Sequence, residues 1–242
     1  MIYVLLPAYN EGKDVASLLD EFTRSPVAGR CRFVIVNDGS TDSTLASVRE
    51  YETKLKLSIL SHSNNMGLGK ALSTGISHIA AEIIPGDVLV TMDADNTHKP
   101  WVIPDLIKQI EAGSDVAIAS RFIKGSSEQG VPLARRVISH LAGSLLKIVF
   151  PAEGVRDYTS GFRAFSGVTV KLLAERFGAE LITEDGFSAT LEILLKARAA
   201  GARFAEVPFV LRYDDKSGKS KIKLGRTIFR YGALAVKMKF CL

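Results

Sequence analysis

An α/β fold with a Rossmann-like, mostly parallel central sheet flanked by helices is predicted by three features of the sequence. Short apolar runs alternate with helix-period segments through the first half of the chain. The runs are continuous rather than alternating, as strands covered on both faces require. Polar clusters follow three of them directly, at Tyr9-Asn10-Glu11, Asn37-Asp38-Gly39-Ser40 and Asp93-Ala94-Asp95. In open α/β sheets, ligands bind beyond the carboxyl ends of the strands.

The elements follow in order. Ile2–Leu6 is a strand ended by Pro7. Residues 13–23 place Val15, Leu18, Leu19 and Phe22 on one helical face. Phe33–Val36 is a buried strand, and Ser40 or Thr41 offers a cap for a helix reaching about Thr53. Leu57–Leu60 is the third strand, followed by a helix over Leu68–Ala81 entered through Gly67 and Gly69. Asp87–Met92 is a strand, Trp101–Glu111 a helix behind Pro100, and Val116–Ala119 a strand. The second half reads as a helix over 133–149, a short strand at Phe162–Phe165 and a helix over 185–199. A bent or paired strand around Pro208, a Lys/Gly/Ser loop at Lys216–Lys223 and a last helix over 226–240 complete it. No repeat or linker divides the chain, so residues 1–242 are expected to form one domain.

Composition narrows the function. The 242 residues are 47% apolar and 24% charged, which excludes a disordered or coiled-coil chain. A net charge of +5 suits anionic partners such as phosphorylated small molecules or a membrane surface. Cys31 and Cys241 form neither a disulfide framework nor a metal motif, so a reducing compartment is expected. No apolar run is long enough for a membrane span, and no signal peptide is expected.

Asp93-Ala94-Asp95 carries the clearest chemistry. Two carboxylates two residues apart at a strand end can face one hard cation, Mg²⁺ or Mn²⁺, which also takes phosphate oxygens and water. A capping role before Pro100 is the alternative. Asp38, at the end of the second strand, can accept from a ribose hydroxyl or a base N–H. The Gly-x-Gly-x-x-Gly fingerprint is absent after the first strand, where Pro7-Ala8-Tyr9-Asn10-Glu11-Gly12 stands, which argues against NAD or FAD. The four histidines, His62, His78, His98 and His140, lack ligand spacing, and His98 is read as a loop residue. Glu192 and Lys196 read as a surface i, i+4 pair. Glu184-Asp185 opens a helix and suits either its dipole or a catalytic base.

These motifs, with Asn65-Met66-Gly67-Leu68-Gly69-Lys70, Ser120-Arg121-Phe122, Arg135-Arg136, Ser160-Gly161-Phe162-Arg163 and Gly218-Lys219-Ser220-Lys221, carry a resemblance along nearly the whole chain. It is to inverting nucleotide-sugar glycosyltransferases of the GT-A fold, in the polyprenyl-phosphate branch typified by dolichol-phosphate mannosyltransferase. The resemblance implies a nucleotide-sugar site of Pro7, Tyr9, Glu11, Val36, Asp38, Asp93, Ala94, Asp95, Arg121, Ser160, Arg163, Lys219 and Lys221. It implies catalytic roles for Asp95, Asp157, Arg121 and Arg135, with Arg135 on the acceptor phosphate, and Lys219 and Lys221 on a closing loop. Asp157 either orients Arg163 or assists the attacking oxygen. The metal ligands would be Asp93 and Asp95, with Thr97 where the family often has Gln. The second strand ends Asn37-Asp38 where Asp-Asp is common, and the C-terminal spans of many members have no counterpart.

The function expected is transfer of a hexosyl group from a GDP- or UDP-sugar to a polyprenyl phosphate such as dolichyl or undecaprenyl phosphate. The expected setting is the cytoplasmic face of a membrane, held peripherally, with a membrane-spanning partner possible and no nucleic acid bound. The C-terminal helix would dock through Lys223, Arg226, Arg230 and Lys237. A related transferase with a sugar hydroxyl acceptor is the alternative. A nucleotidyltransferase lacks its Gly-rich basic loop here, and a non-catalytic sensor would not need Asp93, Asp95 and Arg121.

Overall fold

The computed structural model describes residues 1–215, 217 and 224–241; for residues 134, 135, 138, 224, 226–228, 240 and 241 it describes the backbone alone. Nine strands are described: β1 (Ile2–Ala8), β2 (Cys31–Asn37), β3 (Leu57–Ser61), β4 (Val88–Thr91), β5 (Val116–Ser120), β6 (Ser127–Gln129), β7 (Arg163–Ser166), β8 (Phe204–Pro208) and β9 (Val210–Arg212). Seven of them form one sheet in the order β3-β2-β1-β4-β7-β5-β8, and β6 pairs with β9 separately. All pairings are parallel except those of β7, which runs antiparallel to both β4 and β5. The second half of the chain thus completes the sheet from inside, with β7 between two strands of the first half.

Strand alternation divides the core. Val4, Leu6, Phe33 and Ile35 face the side covered by helices α1 (Gly12–Thr23), α2 (Thr44–Arg49) and α4 (Ile103–Glu111). Tyr3, Leu5, Val34 and Val36 face the side covered by α3 (Leu68–Glu82), α6 (Gly167–Phe177) and α7 (Ser188–Ala199). Helices α5 (Leu133–Val149) and α8 (Leu224–Cys241) lie against each other, and α8 packs on α7.

Several expected boundaries shift for identifiable reasons. β1 runs through Pro7 to Ala8, because β4 pairs only as far as Leu5 and Pro7 has no ladder bond to lose on that side. α2 begins at Thr44, not after Ser40 or Thr41, and ends at Arg49. β6 and α6 have no counterpart in the sequence-based elements. The β-branched Val168, Thr169 and Val170 disguise the start of α6, which Ser166 caps by accepting from the Thr169 N–H at 3.1 Å.

One close approach sets the geometry above the sheet. The Gly69 N–H donates to the Asp185 carbonyl at 2.9 Å, and a Cβ on Gly69 would lie 1.6 Å from the Glu184 carbonyl oxygen. Backbone therefore lies on backbone where α3 begins. Gly69→Ala is expected to destabilise the fold by about 2–4 kcal/mol, whereas Gly29→Ala, with open space around it, is expected to stay within about 0.5 kcal/mol. Urea denaturation of the two variants checks the contrast.

Candidate active site

The loops after β1 and β2 interlock through short polar side chains. Ser40 Oγ accepts from the Asn10 N–H at 3.0 Å, and Thr44 Oγ1 from the Glu11 N–H at 2.8 Å. Asn10 Oδ1 accepts from the Thr41 N–H at 2.8 Å, with Asn10 itself at φ 50°. Asp42 accepts from the Gly12 N–H at 3.1 Å and the Thr44 N–H at 2.9 Å. Burial raises the Asp42 pKa, but these hydrogen bonds outweigh it and hold the carboxyl below its usual range. The motif expected to cap α2 therefore also supplies acceptors to the start of α1. Tyr9 and Glu11 lie half-buried on this platform, directly after β1.

Asp38 is buried at the end of β2. Its Oδ1 accepts from the Met66 N–H at 2.9 Å and lies 2.7 Å from His62 Nδ1, while Oδ2 accepts from the Gly67 N–H at 2.8 Å. The other ring nitrogen of His62 lies 3.0 Å from Thr74 Oγ1. Asp38 thus holds the turn that enters α3, and His62 is part of that support, a role its sequence spacing did not signal. Val36 is fully buried within the core, so it offers no side chain to a ligand, contrary to expectation.

The Asp93-Ala94-Asp95 turn follows β4 at the same edge of the sheet. The Asp93 side chain is 37% exposed. Asp95 Oδ1 accepts from the Thr97 hydroxyl at 2.6 Å and the Thr97 N–H at 3.2 Å. Thr97, which stands where the family pattern has Gln, is 3% exposed and gives its hydroxyl proton to Asp95. Ala94 is buried and presents only backbone. His98 has a role the sequence did not reveal: its Nδ1 accepts from the Asp93 N–H at 2.9 Å, and its ring stacks on Phe162 with centroids 4.9 Å apart. Two hard carboxylates on one turn fit Mg²⁺ or Mn²⁺ bound jointly with diphosphate and water. Among the described residues no third His, Cys, Asp or Glu joins them.

Arg121 and Asp157 form a buried pair at the end of β5. Asp157 accepts from Arg121 Nε at 2.8 Å, Nη2 at 2.7 Å and the Arg121 N–H at 3.0 Å, and from the Ser160 N–H at 3.0 Å. Burial would raise the Asp157 pKa, but Arg121 outweighs it and keeps the carboxyl below its usual range. An ionised, fully buried carboxylate bound this way is a poor candidate for assisting an attacking oxygen, and it orients Arg121 rather than Arg163. Arg163 is itself 1% exposed; its guanidinium donates to the carbonyls of Tyr158 and Thr190, and burial pushes its pKa down to about 10. Ser160 donates to the Ala119 carbonyl at 2.8 Å. Arg163 and Ser160, expected at the ligand, are interior supports instead.

A second cluster forms around Glu128. Its carboxylate lies 3.2 Å from Arg136 Nε, 3.9 Å from Arg121 Nη1 and 3.9 Å from His140 Nε2. Arg136, expected to be a plain surface charge, is part of this cluster. The side chain of Arg135 and residues Lys219 and Lys221 lie outside what is described.

The Thr183-Glu184-Asp185 turn is built from beneath. Glu192 is fully buried and accepts from the Thr183 N–H at 2.8 Å, the Thr183 hydroxyl at 2.7 Å and the Glu184 N–H at 3.0 Å. Lys196 closes the arrangement at 2.7 Å, so the expected surface pair is an interior one. From above, Arg230 lies 3.2 Å from Asp185 Oδ2, and Lys237 donates to Thr183 Oγ1 at 3.0 Å. These two bases of α8 are turned to the protein, whereas the Lys223 residue and the Arg226 side chain lie outside what is described.

A mostly parallel sheet with an acidic Asp-x-Asp turn beside interlocked strand-end loops is the arrangement of the GT-A fold. Residues 3–168 match the model of glycosyl transferase family 2, and the chain belongs to that family. It is 34% identical to the dolichol-phosphate mannosyltransferase of Pyrococcus furiosus over 95% of this chain, spanning 61% of that enzyme's length. It is 29% identical to the UDP-N-acetylglucosamine–dolichyl-phosphate N-acetylglucosaminyltransferase of Methanococcus voltae, over 98% of this chain and 96% of the relative. In structure it is similar to the glucosyl-3-phosphoglycerate synthase of Mycobacterium tuberculosis solved with Mn²⁺, UDP and phosphoglyceric acid. The TM-score is 0.72 at 21% identity, covering 99% of this chain and 78% of the other.

Asp157→Asn is expected to destabilise the protein by about 3–5 kcal/mol, because Arg121 is left buried without its partner. The Asp157 pKa is depressed on folding, so its contribution is complete above the unfolded value of about 3.9 and is lost as pH falls through the folded value. Urea denaturation across the acid range is expected to show a flatter pH dependence in the variant than in the wild type.

Proposed function

We propose that the chain transfers a hexosyl group from a GDP- or UDP-sugar to a polyprenyl phosphate, dolichyl or undecaprenyl, with inversion at the anomeric carbon. One observation carries the acceptor assignment: the cations around Glu128 adjoin an exposed apolar stripe. Along α5, Leu133, Val137, Leu141, Leu145 and Ile148 are 47–79% exposed. At about 100° per residue they fall within an arc of roughly 120°, with Arg136, His140 and Lys147 along one border. Phosphate-binding groups beside a lipid-compatible surface suit a lipid phosphate. The polyprenyl-phosphate acceptors named for two relatives support the same reading.

In the proposed reaction an acceptor phosphate oxygen attacks C1 of the sugar, and the C1–O bond to the nucleoside diphosphate breaks. The acceptor phosphate is already largely anionic, its second pKa being about 6, so no strong base is required. Asp93 and Asp95 would hold Mg²⁺ or Mn²⁺, which when bound supplies charge neutralisation for the departing diphosphate. Arg121, fixed by Asp157, and Arg135 counter the approach of one anion to another. Lys219 and Lys221 are proposed to close over the substrates. Residues 1 to about 120 would serve the donor and the remainder the acceptor.

We assign the membrane-facing surface to α5 rather than to the basic side of α8, because Arg230 and Lys237 are engaged with the Thr183–Asp185 turn. Among the described residues no helix is long and apolar enough to cross a membrane. A peripheral position on the cytoplasmic face, alone or beside a membrane-spanning partner, is the proposed setting.

Two measurements test these assignments. In assays of radiolabelled GDP- and UDP-sugars with polyprenyl phosphates, scored by organic-extractable product, Asp95→Asn is expected to abolish turnover. Asp185→Asn is expected to lose less than the roughly 10²–10⁴-fold contribution of a general base, with Arg135→Ala losing more. A dead Asp185→Asn with a near-normal Arg135→Ala would replace the lipid phosphate by a hydroxyl acceptor. Separately, Leu141→Ser combined with Leu145→Ser is expected to reduce co-sedimentation with anionic phosphatidylglycerol vesicles by about tenfold or more while leaving the melting temperature unchanged. Unaltered sedimentation would remove α5 from the membrane surface.

A further inference from the structure

Lys99 stands four residues beyond Asp95 and is only 3% exposed. Its ammonium group lies 2.7 Å from Glu21 Oε1 on α1, 3.0 Å from Asn96 Oδ1 and 3.0 Å from Asp215 Oδ2. Two of these contacts are hydrogen bonds, to Glu21 and Asn96, and the third is an ion pair with Asp215. The group is thus enclosed by protein acceptors, and a direct role in binding phosphate would require it to give up a contact.

The three acceptors come from three different places. Glu21 belongs to the last turn of α1, a helix anchored to the sheet by Leu18, Leu19 and Phe22. Asp215 closes the short turn Tyr213–Asp215 that follows β9. Asn96 is the apex of the metal turn and sits at φ 61°, a left-handed conformation that Asn tolerates but does not prefer. The neighbours of Asn96 in the chain are Asp95 and Thr97, which bond each other across it. A side-chain bond to Asn96 therefore constrains the direction in which Asp95 is presented. The same stretch is held from the side by the Arg212 N–H, which points at the Thr97 carbonyl at 3.4 Å, and by Arg212 Nη2 at 3.4 Å from Asp215.

We propose that Lys99 is a positioning residue for the metal-binding carboxylates, and that through Asp215 it ties their geometry to the chain that leaves β9. It rests on the metal-dependent reading above. Charge balance accounts for the choice of residue. The Lys99 ammonium lies between two carboxylates, and a neutral side chain there would leave Glu21 without its cation and Asp215 with Arg212 alone. Losing that compensation together with the bond to Asn96 would free the turn and raise the cost of bringing both Asp93 and Asp95 to one cation. Partners of this kind, one step removed from the ligands, typically affect metal affinity by about 10- to 100-fold.

The test uses the full chain and calorimetric titration with GDP and, in parallel, UDP, each with Mn²⁺ and with EDTA. The ratio of the two affinities isolates the metal-linked part of binding. Lys99→Met is expected to lower that ratio by about 10-fold or more with the EDTA affinity unchanged. Asp215→Asn, at a partly exposed position, keeps the Lys99–Glu21 and Lys99–Asn96 bonds and is expected to lower the ratio by less, in the same direction; it carries the test if Lys99→Met does not fold. An unchanged ratio in the folded variant overturns the assignment, as does a parallel fall in both affinities, which would mark a loosened fold. A wild-type protein whose nucleotide binding does not respond to Mn²⁺ would instead remove the metal-dependent reading and this proposal with it.

Discussion

Asp157 joins the two halves of the molecule. It lies in the chain that leads into β7, the strand that runs against its neighbours, and it grips Arg121 at the end of β5 through side chain and backbone together. Inserting an antiparallel strand between β4 and β5 fixes where the Ser160-Gly161-Phe162 segment passes beneath the Asp93 turn. Thr91 Oγ1 donates to the Gly161 carbonyl at 2.8 Å, and Phe162 supplies the ring on which His98 stacks. His98 in turn receives the Asp93 N–H. A buried ion pair is costly to desolvate and contributes little net stability when its geometry is good. Its value here is positional: few other contacts could hold a loop, a strand end and a site turn in one register.

The same economy governs the loops above the sheet. Backbone N–H groups at the strand ends are met by Ser, Thr, Asn and Asp side chains from the neighbouring loop, so each loop is incomplete without the other. Asp38 holds the turn into α3, and Glu192 holds the turn before α7. Those two turns then meet where Gly69 allows the backbones to touch. The donor edge and the Thr183–Asp185 turn are thereby placed on one rigid frame, which suits a reaction in which a misplaced anion is costly.

Charge is distributed with a comparable logic. Carboxylates inside the frame are paired with cations or with several N–H groups, and two of them, Asp157 and Glu192, are held below their usual range despite burial. Glu206 is the opposite case: burial raises it even though it accepts from the Arg156 and Asp157 N–H groups at 2.7 Å. Toward α5, Arg121 and Arg136 share Glu128. The acidic pair on one side of the sheet edge and the two arginines on the other match the metal-bound diphosphate and the anionic acceptor proposed above.

The sequence by itself determined the sheet-and-helix order, because continuous apolar runs such as Phe33–Val36 and helix-period faces such as Val15, Leu18 and Phe22 record burial locally. It also located the Asp-x-Asp turn and the paired loops at the strand ends, since polar residues straight after a buried strand have few structural reasons to be there. What it did not contain was direction or partnership. The antiparallel course of β7 follows from contacts with β4 and β5, which no local period encodes. Asp157 binds Arg121 and leaves Arg163 to two carbonyls; Glu192 and Lys196 are interior; Val36 and Ser160 serve the core; and Thr97 points its hydroxyl at Asp95. Each depends on which chain segment passes within three ångströms, a distance that spacing along the sequence does not measure. Tertiary structure decided these roles because a charged or polar side chain acquires its chemistry from the groups that surround it, and those groups come from elsewhere in the chain.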